Sequence, residues 1–84
     1  MKWIKIKNSH REFEEEWISP GGKKRLVIAL DYSGGEEIGT LAVWKKNEKN
    51  EWIQQPDETA TRRGRGAWND IQTFYKWQKM SGDK

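Results

Sequence analysis

Hydrophobic and polar residues alternate in step along much of this chain. In Trp3-Ile4-Lys5-Ile6-Lys7 the two isoleucines take one side, while Trp3, Lys5 and Lys7 take the other, the two-residue period of a half-buried strand. Arg25 to Tyr32 is the clearest strand: Leu26, Ile28, Leu30 and Tyr32 form one face, and Arg25, Val27, Ala29 and Asp31 the other. Ser33-Gly34-Gly35 follows as a tight turn. Glu37 to Lys46 then carries Ile38, Ala42 and Trp44 on one side and Leu41 and Val43 on the other. Asn47-Glu48-Lys49-Asn50 reads as a hairpin connection to a short closing strand, Glu51 to Gln55.

The flanking segments follow other rules. Ser9-His10-Arg11-Glu12 has the form of a capping box, Phe13 and Trp17 stand four apart, and Pro20-Gly21-Gly22 is a stop. A short helix from about Ser9 to Ser19 is the preferred reading. A strand ending in a Pro-Gly-Gly hairpin is its rival, since Phe13, Glu15, Trp17 and Ser19 also alternate. Pro56 to Gly66 shows no period and reads as a polar loop. Asn69, with Gln72 three residues on, is the expected cap of a final helix whose stripe is Ile71, Phe74, Tyr75 and Trp77. The resulting class is α+β, one domain over residues 1–84. A small antiparallel sheet of about four strands carries the C-terminal helix, and the short N-terminal helix if it forms, on one face.

Composition narrows this picture. A chain of 84 residues without cysteine has neither disulfides nor thiolate metal sites to reinforce a small core, and it suits a reducing, cytoplasmic setting. No run approaches the roughly 18 apolar residues of a membrane span, and the N-terminus lacks a signal-peptide apolar region. Six tryptophans are far above ordinary usage, so bulky rings must fill the core, cover a binding surface, or do both. Trp17, Trp68, Trp77 and at least one of Trp44 and Trp52 are expected inside, with Trp3 as an exposed platform.

Catalytic chemistry finds little support. The single histidine, His10, falls in the capping box, away from any serine context that suggests a nucleophile. Asp31, Glu36 and Glu37 flank one turn and are read as a solvated acidic end, a Mg²⁺-dependent nuclease built on Asp31 and Glu37 being the distant alternative. Glu12, Glu14, Glu15 and Glu16 are likewise read as a solvated face. The expectation is a protein that is not an enzyme and needs no cofactor or metal.

Two signals point instead to nucleic acid. Arg62-Arg63-Gly64-Arg65-Gly66 sets three arginines on a glycine-rich backbone just before a helix, and guanidinium groups grip phosphates with paired hydrogen bonds. Single strands are held by aromatic rings under the bases and cations along the backbone. Trp3, Lys5, Lys7, Arg25, Trp44, Lys46 and Trp52 interleave those two residue types on the strands. With Arg62, Arg63 and Arg65 they form the expected binding set. The net charge of +3 is too small to decide the matter alone.

Leu26 to Tyr32, the Gly34-Gly35 turn, Thr40 to Lys45, the Arg63-Gly64-Arg65-Gly66 loop and Phe74 together resemble the single-stranded-DNA-binding domain of the positive-cofactor-four family of transcriptional coactivators, relatives of the Whirly fold. The likeness covers about Lys23 to Met80. It implies single-strand binding across a curved four-stranded sheet by a homodimer paired through helices and sheet edges. The chain departs from the family after its glycine, where Ala67, Trp68 and Asn69 stand in place of an apolar residue, a serine and a leucine. The alternative is a small phage-type inhibitor that binds a host or defence protein, through the glutamate run as a DNA-like surface or through tryptophan hot spots.

Overall fold

The computed structural model describes residues 2–8 and 14–82. Six strands and one helix follow in the order β1 (Ile4–Asn8), β2 (Glu14–Ile18), β3 (Lys24–Ser33), β4 (Glu36–Lys46), β5 (Trp52–Gln54), β6 (Ala60–Arg63) and α1 (Ala67–Met80). All pairings are antiparallel: β1-β2-β3-β4 run in chain order, and β4 takes β5 against its C-terminal part and β6 against its N-terminal part. The α+β class holds, with more strands than the four expected. No described helix is long and apolar enough to cross a membrane.

The alternation in β3 and β4 decides which face is covered. Leu26 pairs with Val43 and Ile28 with Leu41, so all four side chains project to one side. There Ile71 and Tyr75 of α1 meet them, and these six residues make up the core. Burying six such groups, at about 25 cal/mol per Å² of apolar surface, is the main favourable term holding helix to sheet. Trp3, Trp17, Ala60, Trp68 and Phe74 pack around the rim. Burial pushes the Tyr75 hydroxyl well above its ordinary pKa, and the Glu15 carboxylate adds to the effect.

Gly39 sets how closely the helix approaches. A Cβ at this position would lie 2.7 Å from Ile71 Cγ1 and 3.2 Å from the Ala67 carbonyl. The first turn of α1 therefore rests on β4 backbone, which corrects the expected cap. The helix starts at Ala67 with Gly66, at φ 87°, as its N-cap, and Asn69 already lies inside. Burial of Ala67 draws the first turn onto the sheet before Asn69 is reached. The far end is closed by the sheet: Trp3 Nε1 donates to the Lys79 carbonyl at 3.1 Å, and Lys24 Nζ to the Gln78 carbonyl at 3.4 Å. Both donors meet last-turn carbonyls, the Lys79 one accepting also from the Gly82 N–H at 3.2 Å, where the dipole also favours a cation.

Three further expectations are corrected. Glu14–Ile18 is a strand rather than part of a helix, because its backbone groups fill the outer edge of β3, which a helix would leave unpaired. The capping box Ser9-His10-Arg11-Glu12 and Phe13 lie outside the described residues. The stretch expected as a loop after Pro56 contains β6, whose partner is the open edge of β4 rather than any apolar face of its own. Trp77 is 60% exposed, since it falls about a third of a turn round α1 from Ile71. Tyr32, near the end of β3 and opposite Glu37, is 61% exposed. The Gly34-Gly35 turn is as expected, with φ of 59° and 79°, the positive pair that a type I′ hairpin requires.

Candidate nucleic-acid interface

Among the described residues, the other face of the sheet carries no helix. Register assigns it Ile18 and Arg25, then Val27 and Ala42, then Ala29 and Thr40 across β2, β3 and β4. Trp44 pairs with Gln54 and with Arg25, and Lys46 with Trp52, so Arg25, Trp44, Lys46 and Trp52 share this side. Arg63, opposite Ile38, lies on the same side about 27 Å along β4 from Lys46, eight steps of about 3.4 Å. Five of the ten expected binding residues are thus brought to one face.

A cleft of about 350 Å³ opens in this face, with Val27 and Ala42 as its floor and Trp44, Trp52, Arg25, Glu14 and Glu16 around it. Both tryptophans are half-buried, and neither joins the core, against the expectation that one would. Their surroundings differ. Arg25 stands 5.9 Å and Lys46 5.1 Å from the centre of the Trp52 ring, both in cation–π range. Trp44 lines the cleft with no such contact among the described residues.

Arg25 is also bound to Glu16 in an ion pair. Glu16 is only 5% exposed, so the carboxylate sits where an unpaired charge would be costly and Arg25 neutralises it. The guanidinium Nε is buried without a hydrogen-bond partner among the described residues. Arg25 is therefore a fixed wall of the cleft, held by Glu16 and Trp52, rather than a mobile phosphate clamp.

The rest of the expected set is dispersed. Trp3 is no platform: it is half-buried against the core on the helix side, where its indole caps α1. Lys5 pairs in register with Trp17, also on the helix side, and reaches Glu15 at 3.6 Å. An irregularity between Lys5 and Lys7 breaks the simple alternation; Lys7 pairs by backbone with Glu16, and its side chain lies outside the description. Arg62 projects to the helix side and lies 4.9 Å over the Phe74 ring. Arg65 sits at the end of the sheet, beside Gly34, Gly35, Glu36 and Glu37. The arginine run splits because Arg62 and Arg63 alternate on a strand where the sequence predicts a loop.

The glutamate run is split in the same way. Glu14 and Glu16 share the open face, while Glu15 faces the helix side and accepts from Trp17 Nε1 at 3.2 Å. It is not a continuous solvated or DNA-like surface, and Glu12 lies outside the described residues. Asp31 and Glu37 occupy opposite faces of the hairpin, so the carboxylate pair of the nuclease alternative does not converge. No group of three or more metal-ligating side chains occurs among the described residues.

Comparison with protein-family models, with curated proteins and with solved structures finds no match for this chain. The functional reading stands on the geometry of the open face.

Proposed function

We propose that this protein is a non-enzymatic binder of single-stranded nucleic acid, acting through the helix-free face of its sheet. One observation carries the reading: register brings Trp44, Trp52, Lys46 and Arg25 to one uncovered face around an apolar-floored cleft. An aromatic ring beside a cation suits an unpaired base with its phosphate, and stacking contributes about 1–3 kcal/mol per base with little dependence on sequence. Trp44 supplies the stacking ring, Trp52 a braced neighbour, and Lys46 and Arg63 the backbone charge. The cysteine-free composition fits a cytoplasmic site of action.

The test is a tryptophan-fluorescence titration with a single-stranded oligonucleotide at low and at moderate salt. Quenching that weakens as salt rises is expected, because each neutralised phosphate releases counterions. Trp44→Phe should remove most of the quench. An unchanged signal at low salt rejects the reading.

A protein-binding role is the second reading, and the exposed Trp77, edge-on to Phe74 at 5.7 Å, is what favours it. An exposed tryptophan braced by a half-buried aromatic is a typical hot spot. A partner that survives nuclease treatment and is lost with Trp77→Ala would establish that role.

A further inference from the structure

β6 is an open border of the sheet. It pairs with β4 alone, Arg62 opposite Gly39 and Ala60 opposite Leu41. The Gly64 N–H donates to the Glu37 carbonyl at 2.9 Å, which fixes the phase of this antiparallel ladder. Gly64, Arg62 and Ala60 direct their backbone groups to β4, and Arg63 and Thr61 turn theirs outward. Thr61, Arg62 and Arg63 are exposed. Of the outward groups, only the Thr61 carbonyl meets a partner among the described residues, the Arg62 Nη1 at 3.0 Å. The other borders are less regular or shorter: β1 is interrupted between Lys5 and Lys7, and β5 has three residues.

Beside β6, on the helix side, runs a groove of about 390 Å³, with Phe74 and the exposed Trp77 along its other wall. Charge changes along this border. Arg62 and Arg63 stand at one end, with Arg65 beyond them, while Asp57 and Glu58 line the other, where Glu58 is tied to Lys45 at 2.9 Å. Asp70, a turn before Phe74, is exposed and lies outside the lining.

We infer that β6 receives an extended acidic peptide of a partner protein as an added strand, antiparallel like every pairing in this sheet. This goes beyond the nucleic-acid reading and rests on the protein-binding one, to which it gives a partner chemistry. Alternating N–H and C=O groups match a peptide backbone, whereas phosphate oxygens are acceptors alone. A second copy would bring its own Arg62, Arg63 and Arg65 to the same seam, where like charges repel. Strand alternation then sets the peptide sequence. The residue opposite Arg63 lies on the open face and the one opposite Arg62 on the groove side, and both are acidic. The residue opposite Ala60 also faces the groove and is aromatic, against Phe74 and Trp77. Read from its N-terminus, the motif is acidic, acidic, any residue, aromatic.

The probe is a capped, fluorescein-labelled peptide, Thr-Asp-Glu-Val-Phe-Thr, titrated with the whole protein and read by anisotropy. Saturable binding is expected. Methylating the valine nitrogen, whose N–H points at Thr61, should abolish it. Methylating the glutamate nitrogen, whose N–H points away from β6, should leave affinity unchanged. Arg62→Gln should weaken binding several-fold and Trp77→Ala at least about tenfold. Both side chains are exposed, so neither change threatens the fold. Equal effects of the two methyl groups overturn the added strand, and a Trp77→Ala loss that persists leaves the protein-binding reading standing without it. No binding of the parent peptide overturns the inference and leaves the open-face reading untouched. A chain that sediments as a dimer, tighter in Arg62→Gln, assigns the border to a second copy and overturns it as well.

Discussion

The two faces of this sheet are made from the same strands with opposite results. On the helix side, Leu26, Ile28, Leu41 and Val43 are almost wholly buried, and even the polar positions there have fixed partners, as Lys24 has in the Gln78 carbonyl. On the other side, the matching positions are Val27, Thr40, Ala42 and Trp44, only half-buried, around a cleft. A single-residue step along β4 separates a core position from one on the cleft side. The lesson is that the chain spends its aliphatic residues where the helix lands and leaves small residues and indoles where nothing does.

Substitutions can break or sharpen that contrast. Ile71→Ala removes the helix residue at the centre of the core and should destabilise the fold by about 2–5 kcal/mol in urea unfolding, with oligonucleotide affinity of the remaining folded protein unchanged. Gly39→Ala pushes a methyl into Ile71 and the Ala67 backbone, and a loss of about 1–3 kcal/mol is expected by the same measurement. Trp44→Phe should leave stability within about 1 kcal/mol while abolishing most of the ligand-dependent quench, the reverse of Ile71→Ala. If Trp44→Phe unfolds the protein instead, the open face is a second core and the contrast fails.

The smallest effect concerns acid. Burial works to raise the Glu58 pKa, yet the Lys45 hydrogen bond, the charges of Lys45 and Lys24 and a bond from Gln78 outweigh it and hold the carboxyl below its ordinary 4.5. A group whose folded pKa is depressed stabilises the fold above its unfolded value and loses that contribution as pH falls through the folded value. Stability measured from pH 5 downward should therefore fall less steeply in Glu58→Gln than in wild type.

Much of this was legible in the sequence, and the misses have physical causes. The two-residue period of Leu26, Ile28 and Leu30 against Leu41 and Val43 located the central hairpin, its turn and the core, because one buried face leaves an unambiguous trace. Glu14–Ile18 left an ambiguous one, because the alternation of Glu15 and Trp17 competes with a capping box just before it, and Ala60–Arg63 left none. What decides for strand in both is the hydrogen bonding of a neighbour, a demand that resides in β3 and β4. That second miss carried into the site: Arg62 and Arg63 looked like a common anion grip, whereas strand alternation sends them to opposite faces. Trp3 misled for a different reason. Its alternation with Ile4 was visible, but the Lys79 carbonyl at the end of α1 that takes its indole N–H belongs to a contact 76 residues away.

β4 is flanked on one edge by two separate short strands, and where they part the Gln55 N–H bonds to the Val43 carbonyl at 2.8 Å while the Thr59 hydroxyl accepts from the Val43 N–H at 3.2 Å. One hydroxyl thus stands in for a missing stretch of strand. The segment bearing Trp52 is fastened by a three-residue ladder and that stitch, and its detachment would leave every contact between helix and sheet intact. The wall of the cleft nearest the rim therefore hangs from β4, and the Trp52 ring, set against Arg25 and Lys46, is the clasp that joins it to the rest of the open face.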